Sequence, residues 1–328
     1  MKLLVIRRDN IGDLVCTTPL LLALRQRFPQ AWIGVLTNSY CAPVLAGHPA
    51  IDQVFVYRKA KHREPGQSLL AAYGERLAMI WHLRRMAIDQ VILAAPAHQA
   101  SAERFARWVR PGSVVGGQDS AVRHEAEKVF AVAREFGIAD TPPPCHIVAD
   151  PAAVALARQD LSPALCGRPL IGLHISARKP SQRWPAERYA ELAHRLHREW
   201  DAGLLLFWSP GPADHPQHPG DDEKAATIVA ACAGLPLQAM PTRQLGALMA
   251  GLALVDCLVC ADGGAMHVAA GLGKPIVCLF GDSSIERWHP WGVPYELLQA
   301  PSRQVTDLTV DTVMEACRRL PAGPVTPL

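Results

Sequence analysis

Short apolar runs rich in Val, Ile and Leu alternate with longer amphipathic stretches along most of the chain, a pattern that predicts parallel sheets with crossover helices. Residues 3–7 read as a first strand, 8–13 as a polar turn and about 14–27 as a helix. Further strands are predicted at 32–37, 53–57, 90–94 and 113–116, with helices near 68–86, 100–108 and 123–136. The alternation stops at Thr141-Pro142-Pro143-Pro144, which lacks the backbone donors a helix or sheet needs and reads as a linker. After a short helix at 151–160 it resumes, with strands at 170–175, 204–208, 254–260 and 276–280. Helices at 185–199, 223–232, 243–252, 265–272 and 310–320 separate and follow them. The expected architecture is α/β, two Rossmann-like doubly wound domains at residues 1–150 and 151–328. Such halves are expected to face each other across a ligand cleft at the strand carboxyl ends.

Composition narrows the function classes. With 328 residues, 49% of them hydrophobic and 19% charged, the chain can bury two ordinary cores and is not disordered. A formal charge of +3 does not suggest a nucleic-acid partner. Its distribution is uneven, with 18 Lys and Arg against 13 Asp and Glu in residues 1–150. Clusters such as Arg58, Lys59, Lys61, Arg63 and Arg104, Arg107, Arg110 are either a solvated surface or a match for an anionic acceptor or an anionic membrane. Nine scattered cysteines fit reduced thiols, and the opening apolar run ends at Arg7 and Arg8, too short for a signal peptide. The apolar stretch 245–260 is interrupted by Gly246, Gly251 and Asp256 and falls short of a membrane span. A cytoplasmic protein is expected, with peripheral contact at the inner membrane as a further expectation.

Three segments carry candidate chemistry. In Arg8-Asp9-Asn10-Ile11-Gly12-Asp13-Leu14, directly after the first strand, Asp13 either caps the next helix or removes a proton from an attacking hydroxyl; alone, the residues favour the cap. In Asp262-Gly263-Gly264-Ala265-Met266-His267 a strand gives way to a helix. Paired glycines let backbone N–H groups approach a diphosphate there, unless this is an ordinary tight turn with a core histidine. Ser176-Ala177-Arg178-Lys179-Pro180-Ser181-Gln182-Arg183-Trp184-Pro185 sets hydroxyls and cations before a helix, as a phosphate loop or a solvated basic one. Trp184, Trp288 and Trp291 flank these loops and either stack on a ligand or pack.

Together the three segments resemble glycosyltransferase family 9, the ADP-heptose:lipopolysaccharide heptosyltransferases of core assembly. The resemblance runs from Arg7 through Thr18-Pro19, to Arg183-Trp184-Pro185, to Asp262–His267 with Gly273-Lys274-Pro275 and Phe280-Gly281. It implies the GT-B fold, a nucleotide-activated sugar, typically ADP-heptose, and inversion at the anomeric carbon. It assigns the base to Asp13, the sugar- and phosphate-holding loop to Asp262, Gly263, Gly264 and His267, and a ribose-binding acid to Glu223, with Asp222 competing for that role; Ser176, Lys179, Gln182 and Arg183 of the preceding loop are also expected at the donor. Arg8, Asn10 and Arg63 are expected at an anionic glycan or glycolipid acceptor, and no cofactor or divalent metal is expected. Gln182 stands where the family has a donor-contacting lysine, so either Lys179 or Arg183 supplies that charge or donor binding differs.

Other classes are weaker. The loop 209–222 is longer than the family's turn and holds Asp214, His215, His218, Asp221 and Asp222, whose metal-ligand chemistry is outweighed by a stiff, proline-rich surface loop. Cys257 and Cys260 form a C-x-x-C match inside a predicted strand, where the two thiols point to opposite faces. No G-x-G-x-x-G follows the first strand, which disfavours a dinucleotide oxidoreductase. A GT-B nucleotide-sugar epimerase or hydrolase, or a non-catalytic nucleotide-sugar binding protein, would share the donor loop and stay as alternatives.

Overall fold

The computed structural model describes residues 1–57, 69–95, 99–116, 124–214 and 219–320, with residues 69–73 described in backbone only. The chain divides into two compact units, Met1–Val148 and Ala149–Leu328. Residues 141–150, which include the proline run, carry no regular structure.

The first unit holds strands β1 (Lys2–Ile6), β2 (Trp32–Asn38), β3 (Gln53–Tyr57), β4 (Gln90–Leu93) and β5 (Ser113–Gly116). All pair in parallel in the order β3-β2-β1-β4-β5, with Ile6 opposite both Leu36 and Leu93. Helices α1 (Ile11–Val15), α2 (Thr18–Arg27), α3 (Leu69–Met86), α4 (Ala100–Val109) and α5 (Glu125–Phe130) connect and cover it. In the central strand β1, Leu3, Leu4, Val5 and Ile6 are all buried, the continuous apolar run expected of a strand covered on both faces.

The second unit has β6 (Leu170–His174), β7 (Gly203–Trp208), β8 (Leu237–Pro241), β9 (Cys257–Ala261), β10 (Ile276–Phe280) and β11 (Tyr295–Gln299), all parallel in the order β11-β10-β9-β6-β7-β8. Its helices are α6 (Pro151–Gln159), α7 (Ala186–Trp200), α8 (Asp222–Ala231), α9 (Leu245–Leu254), α10 (Gly264–Gly271), α11 (Ile285–Trp288) and α12 (Val310–Arg319). Helix α7 buries Tyr189, Ala190, Leu192, Ala193 and Leu196, the 3.6-residue stripe that seats it on the sheet.

The two doubly wound sheets match the alternation of the sequence. Strands β8 and β11 and helix α11 do not follow from it. Both strands lie at sheet edges and are only partly buried, so their sequences LQAMP and YELLQ carry polar residues that mask a strand. Residue 254 closes helix α9 and does not open a strand. The first helix begins at Ile11, three residues earlier than the polar turn suggests, and α2 starts separately at Thr18. Asp13 therefore sits within α1.

Candidate active site

In the first unit the strand order reverses around β1, so the loops after β1 and β4 leave the sheet together, the place where doubly wound sheets bind ligands. Arg7 spans them. Its guanidinium donates to the Ala94 carbonyl and, through one nitrogen, to Asp13 Oδ1 and Glu125 Oε1, each at 2.7 Å. Its Nε stands 3.0 Å from Asp9 Oδ2. Arg7 is 2% exposed, Glu125 0% and Asp13 8%. Burial works against the charge on Arg7, but Asp13, Asp9 and Glu125 outweigh it and raise its pKa above the ordinary value.

Cap and candidate base coincide in Asp13. At the third position of α1 its Oδ2 accepts the N–H of Asn10 at 3.0 Å, while Oδ1 faces Arg7. The side chain is thus fixed on both oxygens yet keeps a share of solvent access. Asn10 is exposed, and its amide also donates to Asp13 Oδ2. Arg8 is buried, its guanidinium bonded to Ser101 Oγ and set 4.8 Å from the centre of the Tyr57 ring; burial lowers its pKa. Arg63 lies outside the described residues. Glu125 and Gln99, which donates to Asp9 at 2.8 Å, were not legible as site residues, because nothing local marks a residue whose partner is more than a hundred positions away, as Glu125's is.

In the second unit the order reverses between β6 and β9, and the loops after these strands hold most of the predicted donor residues. Gln182, buried in the turn before α7, donates to Asp262 Oδ2 and to Ser283 Oγ, both at 2.9 Å. Lys179 Nζ reaches the same Ser283 hydroxyl at 3.4 Å and pairs with Asp282 at 2.9 Å. The ammonium of Lys179 and the amide of Gln182 thus meet at one hydroxyl. The Lys179 hydrogen bond, followed by one from Ser181, lowers the pKa of Asp282. Arg183 is turned to the Ala177 carbonyl at 3.0 Å. Ser176 Oγ accepts Ser209 N–H at 2.9 Å, tying the loop after β6 to the loop after β7.

Gly263 is the N-cap of α10 and is exposed, with no atom within 4 Å of where a Cβ would stand. An incoming anion meets bare backbone there and the first N–H groups of the helix. His267 is buried one turn into α10, edge-on to Trp288 at 5.8 Å. The loop after β10 closes on the loop after β6: a Cβ on Gly281 would lie 2.5 Å from the Ser181 carbonyl oxygen, so only glycine permits this approach. Ser283 and Asp282 belong to that loop and escaped the sequence reading.

Asp222 is committed to the fold, accepting from Trp208 Nε1 at 2.7 Å and from Gly211 N–H at 2.9 Å, bonds that lower its pKa in that order. Glu223 is exposed on the first turn of α8. Lys224 points inward to the Ile175 carbonyl at 2.9 Å and over the Tyr189 ring, and burial pushes its pKa down to about 8. Trp184 is core, packed against Tyr189 with its indole N–H on the Leu308 carbonyl at 2.9 Å. Burial pushes Cys257 up to about 12 and Cys278 well above its ordinary value, which suits inert thiols. Among the described residues no three His, Cys, Asp or Glu side chains group as a metal site; His215 and His218 lie outside them.

The sequence from residue 117 to 316 matches the model of glycosyltransferase family 9 (heptosyltransferase). The chain belongs to that family. It is a glycosyltransferase of the two-domain GT-B fold, as its similarity to curated and solved members bears out. It is 27% identical over 301 residues to lipopolysaccharide heptosyltransferase 2 of Escherichia coli strain K12, covering 87% of this chain and 84% of that protein. The solved family 9 glycosyl transferase from Veillonella parvula DSM 2008 is 21% identical and superposes with a TM-score of 0.81 over 97% of this chain and 96% of its own. The E. coli heptosyltransferase WaaC, solved with ADP-2-deoxy-2-fluoro heptose, superposes with a TM-score of 0.72 at 20% identity, over 97% of this chain and 99% of that one.

Proposed function

We propose that this glycosyltransferase moves a heptose from ADP-heptose to a lipopolysaccharide-core acceptor with inversion, in one displacement. The first unit receives the acceptor and Asp13 takes the proton of its attacking hydroxyl. The second unit holds the donor, and Lys179 with the N-terminus of α10 offsets the charge growing on the departing diphosphate. The observation that carries this reading is Asp13, held at both oxygens by Arg7 and Asn10 at the carboxyl end of a central strand in a family 9 chain. The donor assignment is supported by the ADP-sugar analogue bound to WaaC, and the acceptor by the lipopolysaccharide heptosyltransferases this chain resembles. Glu223, exposed beside a committed Asp222, is the residue proposed for the ribose, and Arg8 and Asn10 are proposed for the acceptor. The chemistry requires no divalent metal, since protein cations and helix donors meet the diphosphate. Incubating the protein with ADP-heptose and a core acceptor lacking that heptose should add one heptose to the acceptor. In the same assay Lys179→Ala should raise the donor KM about tenfold, the scale of one charge-assisted contact. Hydrolysis or epimerisation of the donor without transfer would refute the proposal.

A lipid-linked acceptor would put the reaction at the cytoplasmic face of the inner membrane, and the surface of α3 and α4 suits that location. No helix among the described residues is long and apolar enough to cross a membrane. Leu77 and Trp81, one turn apart on α3, are 65% and 60% exposed, and Trp108 on α4 is 40% exposed. Arg85 stacks on Trp81 and Arg76 on Trp108, giving the mixture of aromatic and cationic groups that settles at an anionic interface. The protein should sediment with phosphatidylglycerol vesicles and not with phosphatidylcholine ones, and Trp81→Glu should weaken this at least about tenfold. Equal sedimentation of both proteins would remove the surface from the proposal.

A further inference from the structure

The amino-terminal site contains a second carboxylate that the transfer reaction as described does not use. Glu125 opens α5, is fully buried, and meets the same guanidinium nitrogen of Arg7 that holds Asp13. Two hydrogen-bond lengths at most separate the carboxylate oxygens, with one cation between them. Like charges this close disfavour each other's ionisation, and a guanidinium shared by two carboxylates acidifies each less than it would acidify one. Such sharing matters for a base. A carboxylate paired alone with a buried arginine becomes a weak proton acceptor, and general-base efficiency falls with basicity.

We propose that Glu125 is a positioning residue of the transfer reaction, sharing the buried Arg7 with Asp13 and Asp9 so that the guanidinium orients Asp13 without being claimed by it alone. The inference rests on Asp13 being the base. The charged groups in the described surroundings are consistent with it. Arg7 and Asp9 follow β1, and Glu125 is preceded by His124, the N-cap of α5, and followed by Glu127 and Lys128. The turn after α5 carries Arg134 and Glu135. Helix α2, packed on α5, has its charges Arg25 and Arg27 in its last turn, where Arg25 pairs with Asp52.

Glu125→Gln removes the charge and keeps an oxygen that can accept from Arg7. Arg7 is then shared by Asp13 and Asp9 only, and the acid limb of the kcat/KM–pH profile should move to lower pH. The plateau rate should fall about three- to tenfold with the donor KM unchanged. Glu125→Asp retains the charge and should keep the limb near its wild-type position. A purely structural glutamate would lower the melting temperature and leave the limb where it was, and that result, or an upward shift, would overturn the proposal. Asp13→Asn separates the two claims. If it keeps wild-type turnover, Asp13 is not the base. If it loses turnover while Glu125→Gln leaves the limb in place, only the role of Glu125 falls.

Discussion

Asp13→Asn is expected to slow transfer about 10²- to 10⁴-fold, the usual consequence of removing a general base, with the donor KM within about twofold of wild type. Stability should change much less. Asp13 accepts on both oxygens, from Arg7 on one and from the Asn10 N–H on the other. An asparagine has one acceptor and one donor, so it satisfies one neighbour and turns N–H groups against the other, a cost of about 1–2 kcal/mol. The variant should therefore melt several degrees lower but remain folded at 25 °C. Steady-state rates with donor and acceptor, measured beside a thermal melt, separate the two effects. Wild-type turnover in this variant would remove Asp13 from the chemistry.

Arg7→Leu carries the second large expectation, and it concerns the fold. The change removes the guanidinium that Asp13, Asp9, Glu125 and the Ala94 carbonyl all meet, with Glu125 fully buried. Breaking a buried ion pair from one side typically costs about 3–5 kcal/mol, because the charge left behind has lost its water and its partner. The urea midpoint at pH 7 should drop accordingly. The sign of its pH dependence is specific. In the variant a carboxylate buried without its cation is costly only while charged, so the penalty is full at neutral pH and relaxes as the cluster takes up protons in acid. The gap to wild type should narrow at pH 5 relative to pH 7. A constant gap, or none, would show that Arg7 is not what neutralises the cluster.

The architecture was legible because its central strands are continuous apolar runs and helices such as α7 carry a single apolar stripe, signals that survive without tertiary information. Edge strands β8 and β11 were not, since a half-solvated strand with Gln238 or Glu296 in it resembles a loop. At the site, the motifs located Asp13, whose partners Arg7 and Asn10 lie within six positions of it, and Gln182 and Asp262, each marked by the residues beside it although the hydrogen bond between them spans 80 positions. Ser283 and Glu125 were invisible. Their importance comes from contacts across 101 and 118 positions, which only the sheet order creates. The choice between Asp222 and Glu223 likewise turns on Trp208 and Gly211, fixed by β7 and the loop that follows it.

The bare α-carbon of Gly281 has a mechanical consequence. Because it lets two strand-to-helix crossings press main chain against main chain at Ser181, with Gln182 and Lys179 both fastened to Ser283, neither crossing can yield alone. A nucleotide that tugs on one would draw the other along. Recoil after release would be shared in the same way, so a ligand held by these loops would be gripped and let go by both as one piece.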